Sequence, residues 1–598
     1  MTLRFRSFQT ILKAGNLLLL IFALLPGKIS AQGYLHADGK YICDAQGNDI
    51  ILRGIGAGNW MIQEGYMMKS TGPANTQHEF EKKLAEIIGQ QKTDSFYNFW
   101  LTHHLTRGDI DSMKSWGFNS IRPAMHYKWF TPPIEEEPVA GEITWIDRGF
   151  ILIDSLLKWC SKNEMYLILD MHGAPGGQGK DASISDYDPV KPSLWESREN
   201  KDKLIALWKK LATRYSNEPW IGGYDLINEP NWDFENSGNK NGCNCVENIP
   251  LLELFEELID AIREVDRNHI IFIEGNCWAN NYKGLYPLAS YDENIVFSFH
   301  KYWNWNNQES IAWITALRDS LNIPIWLGES GENSNTWYTN AIRLCEKNRI
   351  GWSWWPLKKN GVNNVMMVHA NPEYLELMDY WRGKASRPMD EEAFHAVMTW
   401  AENHQNKHCK IQYDVIDAMI RQPYTTETLA FKSHRTGDII FATDYDLGRN
   451  QYAYFDTDTG NYRVSTGKGT PWNRGRSYRN DGVDIIPCSD TAISNGYCVG
   501  WTENEEWMNY SLNSDRKITY IVNIRYASPE KEGKIHFESN GDSLTEPISL
   551  PKTGGKQNWT TLQVHGVNLP KGKVSIRLVI DEGGMNINYF SFTDPHND

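Results

Sequence analysis

The sequence predicts an α/β chain, a (β/α)8 TIM barrel followed by an all-β sandwich of jelly-roll type, on three observations. Eight short apolar runs alternate with amphipathic segments between about residues 51 and 358. Each run finishes on polar or aromatic residues. Beyond about residue 405 the helical periodicity gives way to alternating strands with Gly, Asn and Asp turns. At 598 residues the chain is too long for one ordinary core, so length alone predicts more than one domain.

Taken in order, residues 1–31 carry Arg4, Arg6 and Lys13, then the apolar NLLLLIFALL, then GKISAQ with small residues. This pattern predicts a signal peptide cut after Ala31, and the apolar run is short for a membrane span. Gln32 follows the cut and the first cysteine is Cys43, so no lipid attachment is expected. The expected location is periplasmic or extracellular. GYLHADGKYICDAQGNDI, with DG and GN turn signals, reads as a hairpin closing the barrel floor.

The eight runs are ILRGIGAGNW, GFNSIRPAM, MYLILDMH, IGGYDLINEP, HIIFIEGN, NIVFSFHKYW, IPIWLGES and GWSWWPLKK. Helical segments such as FILIDSLLKWCSKN lie between them. The domain plan is a barrel over 32–404, a connecting segment over 405–436, and a sandwich over 437–598. The sandwich rests on ITYIVNIRYAS, KIHFES, KVSIRLVI and NINYFSF.

Composition bounds the partners. Hydrophobic residues make up 41% and charged residues 23%, and the formal charge of −15 becomes more negative still without Arg4, Arg6, Lys13 and Lys28. An acidic balance argues against nucleic acid and anionic membranes and suits a neutral ligand. No membrane insertion is expected, and a monomer is. The nine cysteines are scattered, without zinc spacing, so no metal or other cofactor is expected. Cys243 and Cys245 in CNC are read as a local disulfide or free thiols, and Cys488 with Cys498 as a pair. The 25 Trp and 28 Tyr offer flat rings on which a sugar can stack.

The strand ends carry the chemistry. They present Asn59 and Trp60, Arg122, His172, Asn228 and Glu229, Glu274 and Asn276, His300 and Tyr302, Glu329, then Trp355 and Lys358. The carboxyl ends of barrel strands form the rim where such folds place catalysis. Glu229 on the fourth run and Glu329 on the seventh face one another across that rim. A surface ion pair is the plain reading of either alone, but two carboxylates flanking a cleft are the equipment of glycoside hydrolysis. A metal-dependent hydrolase would want His-x-His on the first strand, where GIGAGNW stands. A non-catalytic sugar binder would be expected to lack one carboxylate.

The set GFNSIRP, LDMHGAPGG, LINEPN, FSFHKYW, WLGES and GWSWWPLK resembles glycoside hydrolase family 5, the cellulase-type retaining β-glycosidases, over roughly residues 34 to 400. The resemblance implies hydrolysis of a β-1,3- or β-1,4-glucan, with Glu229 as acid/base and Glu329 as nucleophile. Arg122, His172, Asn228, His300, Tyr302 and Trp355 are implied to bind substrate or orient the pair. Asn228 suits the sugar 2-hydroxyl, Trp355 a stacking floor, and Arg122 with Tyr302 would hold Glu329 ionised and low in pKa. DMHGAPGGQ is similar to the branch containing exo-β-1,3-glucanases, whereas GES departs from the commoner GEW or GEF. Mannan hydrolysis and transglycosylation are the alternatives. Trp195, Trp232, Trp278, Trp303 and Trp305 are candidates for further subsites.

FATDYDLGRNQYAYFDTD, SYRNDGVDI, VGWTENEEWMNYSL and MNINYFSF resemble a family 6 carbohydrate-binding module over about residues 437 to 594. Tyr478 and Asn586 match two of its ligand positions. Lys556 stands where the second stacking aromatic is expected, and Phe441 and Thr443 replace acidic residues that would bind calcium. Trp501 and Trp507 are expected in the sandwich core.

Overall fold

A computed structural model describes residues 33–139, 141–302, 304–460 and 472–596. The predicted leader, Ala140 and Trp303 lie outside the described residues.

Eight parallel strands close into a barrel. They are β1 (Arg53–Ala57), β2 (Ser120–His126), β3 (Tyr166–Gly173) and β4 (Ile221–Asp225). The circuit continues through β5 (Ile271–Glu274), β6 (Ile295–His300), β7 (Ile325–Gly331) and β8 (Gly351–Trp355). Trp352 pairs with Arg53 to seal it. Every strand overlaps its predicted run, and nearly every strand residue is buried, as expected where helices cover one face and the barrel interior the other. The outer helices are amphipathic: Arg198–Tyr215 starts where Ser197 accepts the Asn200 N–H at 3.2 Å, and it buries Leu204, Leu207, Trp208 and Leu211 on one face. Each such leucine contributes about 2 kcal/mol of transfer free energy.

The expected hairpin forms from His36–Asp38 and Tyr41–Cys43, and Leu35 and Ile42 cluster with Tyr166, Ile270 and Trp326. The connecting segment expected over 405–436 is different in kind. Lys410–Ile411 pairs with Met366–Met367, and the helix Tyr413–Ile420 buries Val415 and Met419 in the barrel's own core. Its apolar positions share one helical face, which must be covered. Residues 410–420 therefore belong to the barrel, whereas His434–Arg435 pairs with Leu512 and Asn513 of the sandwich.

Two sheets, antiparallel except for the short parallel pairing of His434–Arg435, build the sandwich. One contains β9 (Trp507–Ser514), and the other contains β10 (Ile518–Ala527) and the last strand, β11 (Asn586–Thr593). Tyr510, Leu512, Val522, Ile524, Phe590 and Phe592 fill the space between them. Trp501 departs from expectation: it is 40% exposed, its backbone turned left-handed at φ 47°. Trp507 is half-buried beneath the Arg577 guanidinium, 3.9 Å from the ring centre.

The two domains meet through buried polar groups. Asn335 donates to Asp414 at 2.9 Å and to Asp481 at 2.8 Å, while Asn480 donates to Asp414 through its N–H and to the Asn333 carbonyl through its side chain. Asn335, Asp414, Asn480 and Asp481 are all at most 2% exposed. Among the described residues no helix is long and apolar enough to cross a membrane.

Candidate active site

The carboxyl ends of the barrel strands surround a cleft of about 570 Å³. Glu229 enters it because the chain turns sharply after β4. Its backbone is left-handed at φ 43°, its N–H donates to Glu274 at 2.7 Å, and its carbonyl accepts from Asn231 at 2.8 Å. Such a conformation in a non-glycine residue costs about 1 kcal/mol or more and is held by its surroundings. The Glu229 Oε1 accepts from His300 Nδ1 at 2.6 Å. Opposite, Glu329 on β7 accepts from Arg122 at 2.9 Å on one oxygen and from the Tyr302 hydroxyl at 2.8 Å on the other. One oxygen of each glutamate and one ring nitrogen of His300 all lie within 4.8 Å of one another.

Arg122 is the hub beneath the pair. Its guanidinium also meets Asp225 at 2.9 Å, Asn228 at 2.8 Å, Glu274 at 2.8 Å and Asp170 at 3.1 Å. His172 bonds Asp170 through Nδ1 at 2.9 Å, and Asn228 donates to its Nε2 at 3.3 Å. This chain of bonds requires a neutral His172 with its proton on Nδ1. Burial agrees, pushing His172 down to about 3. Asn228 then keeps one N–H for a ligand.

Two cations, Arg122 and His300, face five carboxyl groups, and the imbalance appears as retained protons. Burial pushes Asp225 up to about 8, with repulsion from Glu274 adding to it, and raises Asp170 well above the carboxylate range. Burial alone would lower His300, but Glu274 and Glu229 outweigh it and raise it well above the ordinary histidine value. Glu329 departs from the sequence expectation of a lowered pKa. Burial raises it and Glu229 repels it, against the pull of His300 and Arg122.

The other expected residues separate. Trp355 lines the cleft, stacked on His172 at 5.0 Å with the rings parallel and donating to the Tyr66 hydroxyl at 3.0 Å. Gly56 and Gly58 permit this, since a Cβ on either would fall within 2.8 Å of the indole. Trp60 is buried, bonded to the Leu101 carbonyl, and Lys358 turns away to Asp109 at 2.8 Å. Trp195 packs on Phe234, Trp232 lies under Lys180, Trp305 is exposed, and Trp278 alone of the described candidate tryptophans lines the cleft.

The sequence reading missed Glu64, Tyr66, Asp181 and Glu332, which line the cleft from loops, and Asp170 and Asp225, which hold Arg122 from within strands. An acid inside an otherwise apolar run, as in LILDMH and GGYDLIN, was the available signal for the last two.

In the sandwich, Tyr478 and Asn586 have separate partners. The Tyr478 hydroxyl donates to Asp444, and its ring packs with Tyr497 at 5.1 Å beneath Lys410 at 4.7 Å. Asn586 donates to the Lys556 carbonyl at 2.7 Å. Cys243 is bonded to Cys277 rather than to Cys245, which is a buried free thiol. Cys488 and Cys498 are free thiols, and Cys498 nearby pushes Cys488 down to about 6. Glu229, His300 and Glu329 are the group of His, Cys, Asp and Glu among the described residues close enough to hold a metal ion, and Arg122 already places a positive charge against Glu329.

A closed barrel with two facing glutamates at the ends of β4 and β7 defines a glycoside hydrolase. Residues 79–361 match the family model of cellulase (glycosyl hydrolase family 5), and residues 476–594 match that of the carbohydrate binding module (family 6). The chain carries a family 5 glycosyl hydrolase domain followed by a family 6 carbohydrate-binding module. It is 27% identical over 388 residues to a beta-xylosidase of Phanerodontia chrysosporium, covering 59% of this chain and 77% of that one. Endoglucanase C of Acetivibrio thermocellus is 32% identical over 218 residues, 36% of this chain and 53% of its own. A probable glucan 1,3-beta-glucosidase A of Aspergillus niger is 26% identical over 186 residues, 30% of this chain and 41% of its own. The chain thus spans about half or less of the latter two.

Proposed function

We propose that the protein is an exported β-glucan hydrolase working by double displacement, Glu329 being the nucleophile and Glu229 the acid/base. The observation that carries this is that one oxygen of each carboxyl group lies within 4.8 Å of the other. Direct attack by a carboxylate needs a separation of about 5 Å, whereas an inverting pair stands about 6.5–9.5 Å apart to admit water.

The productive proton arrangement is one proton on Glu229 and none on Glu329. Both oxygens of Glu329 receive donors, from Arg122 and Tyr302, which favour its anion. Among the described residues Glu229 accepts a side-chain bond on Oε1 alone, from His300. With Glu229 neutral, the repulsion that raises Glu329 disappears. Glu329 then attacks the anomeric carbon while the glycosidic C–O bond breaks and the Glu229 proton passes to the departing oxygen. Glu229, now a carboxylate, takes a proton from water, whose oxygen attacks the same carbon and releases Glu329. Asn228 supplies its spare N–H to the 2-hydroxyl, and Trp355 offers its face to the sugar ring.

The glucan assignment draws on relatives named as endoglucanase and glucan 1,3-beta-glucosidase. A β-xyloside is the second reading, since the relative named beta-xylosidase aligns over the largest share of the chain among the three. Export is proposed from the pattern of residues 1–31, supported by a disulfide between Cys243 and Cys277 that suits an oxidising compartment. The sandwich is proposed to hold the enzyme near its polysaccharide.

Product analysis on laminarin, mixed-linkage glucan, cellulose, mannan and xylan tests the substrate. Glucose alone from laminarin supports exo-β-1,3 action. Turnover confined to mannan or xylan, or product of inverted anomeric configuration, overturns the reading.

A further inference from the structure

The strand that carries Glu329 is restrained from outside the barrel. Beyond β7 the chain passes through Glu332, Asn333 and Ser334 to the helix Asn335–Lys347, and the sandwich supplies partners along this turn. The Asn480 side chain donates to the Asn333 carbonyl at 2.8 Å and to the Asn335 side-chain oxygen at 3.0 Å. The Asn335 N–H donates to the Asn480 carbonyl at 3.1 Å, and the Ser334 hydroxyl donates to the carbonyl of Gly460. Both ends of the Asn480 amide are used, because its oxygen also accepts from the Trp472 indole at 3.1 Å. Asn333, Ser334, Asn335 and Asn480 are at most 1% exposed, so losing any of these bonds leaves a buried polar group unpaired.

Asn333 carries the restraint inwards. Its side-chain nitrogen faces two carbonyls, those of Tyr302 at 3.2 Å and Gly331 at 3.4 Å, which fixes the orientation of the amide. Tyr302 in turn donates its hydroxyl to Glu329 at 2.8 Å. A continuous line of hydrogen bonds therefore runs from Asn480 through Asn333 and Tyr302 to the carboxylate at the end of β7.

We infer that Asn480 is a positioning residue for Glu329, and that the sandwich thereby completes the catalytic scaffold as well as holding the enzyme near its polysaccharide. This rests on Glu329 being the nucleophile. A hydrogen bond donated to the charged form of an acid favours that form, so the Tyr302 hydroxyl keeps Glu329 ionised as well as aimed. Removing the Asn480 amide frees the Asn333 turn, and the Tyr302 backbone loses its fixed partner. The hydroxyl then meets Glu329 less often, which disfavours the anion and misaligns the attacking oxygen.

The test compares wild type, Asn480→Ala, Tyr302→Phe and the double variant across pH on p-nitrophenyl β-D-glucoside and β-D-xyloside. These substrates are small and soluble, so a hold on polysaccharide plays no part in their turnover. Asn480→Ala is expected to lower kcat about five- to tenfold with KM within about twofold, and to move the acid limb of kcat/KM to higher pH. In the Tyr302→Phe background the same substitution changes kcat by less than about twofold, since residues in one network are not additive. A cooperative melting transition shows that each variant is folded, and Asn480→Ser, with a shorter polar side chain, takes the place of Asn480→Ala if the alanine variant fails that check. Additive losses, an acid limb that stays in place or a wild-type kcat overturn the inference. Turnover retained by Glu329→Ala overturns the nucleophile reading instead, and a wild type inert on both glycosides overturns the proposed function and the inference with it.

Discussion

His300 reaches Glu229 through Nδ1 at 2.6 Å and stands 3.1 Å from Glu274 through Nε2. The imidazolium thus separates two carboxyl groups that would otherwise face each other in a buried site. Glu229 must lose its proton in the first chemical step and regain one in the second, and a fixed cation beside it stabilises the anion between. His300→Ala is expected to lower kcat by about 10²-fold on an unactivated disaccharide, in the range of acid/base contributions. Steady-state kinetics check this, and a change in KM alone would assign His300 to binding.

The two glutamates separate by leaving group. Glu229→Ala is expected to lose about 10²–10⁴-fold on a disaccharide, yet to retain most of its first step on a dinitrophenyl glycoside, which needs no proton. Added azide then yields a β-glycosyl azide. Glu329→Ala is expected to show no turnover on either substrate and no β-azide. Product analysis by NMR distinguishes these outcomes, and a β-azide product from Glu329→Ala would reverse the assignment.

Why were these residues legible in advance while others were not? Glu229, Glu329, His172 and Trp355 end apolar runs of recognisable period, so the barrel's own geometry carries them to the rim. Glu64, Asp181 and Glu332 lie in loops, whose paths follow from tertiary contacts rather than from local periodicity. Depth was also invisible, and depth, through desolvation, is what raises Glu329 above its expected range. The helix Tyr413–Ile420 was visible as a helix, but which surface covered its apolar face was not.

Asp225 should leave a mark on stability. Its carboxyl sits at about 8 in the folded protein, fully buried, against about 3.9 in an unfolded chain. Between those values the folded state holds one more proton than the unfolded state. Stability contributed by that proton is present below about pH 4 and is lost as pH rises towards 8, by about 1.4 kcal/mol per pH unit. Asp225→Asn cannot titrate and still offers Arg122 an oxygen. Its melting temperature is expected to fall less between pH 5 and 8 than that of wild type; parallel profiles would reject the retained proton.

Asp481 joins the domains, accepting from Asn335 of the barrel at 2.8 Å and from Arg479 of the sandwich at 2.6 Å. Asp481→Ala leaves a buried guanidinium without this partner, a loss of about 3–5 kcal/mol. Calorimetry is expected to show one wild-type transition resolving into two, with the sandwich melting first. A variant that keeps a single transition at the wild-type temperature would show the interface to be energetically neutral.

Glu64 offers the last prediction. It lines the cleft, 6% exposed, and its carboxyl has no hydrogen-bond partner among the described residues. Burial, with Glu329, Glu332 and Glu229 nearby, raises it well above the carboxylate range. A neutral acid so placed can donate to a sugar hydroxyl as well as accept from one, and glutamine shares both abilities. Glu64→Gln is therefore expected to keep KM within about threefold of wild type, whereas Glu64→Ala raises it by about five- to tenfold, the worth of one neutral hydrogen bond. The same contact should fade for wild type as pH rises through the raised Glu64 value, and should not fade for Glu64→Gln. KM measured on laminaribiose across pH for all three proteins decides the point, and a glutamine variant as weak as the alanine one would show that the anion, not the acid, is the binding form.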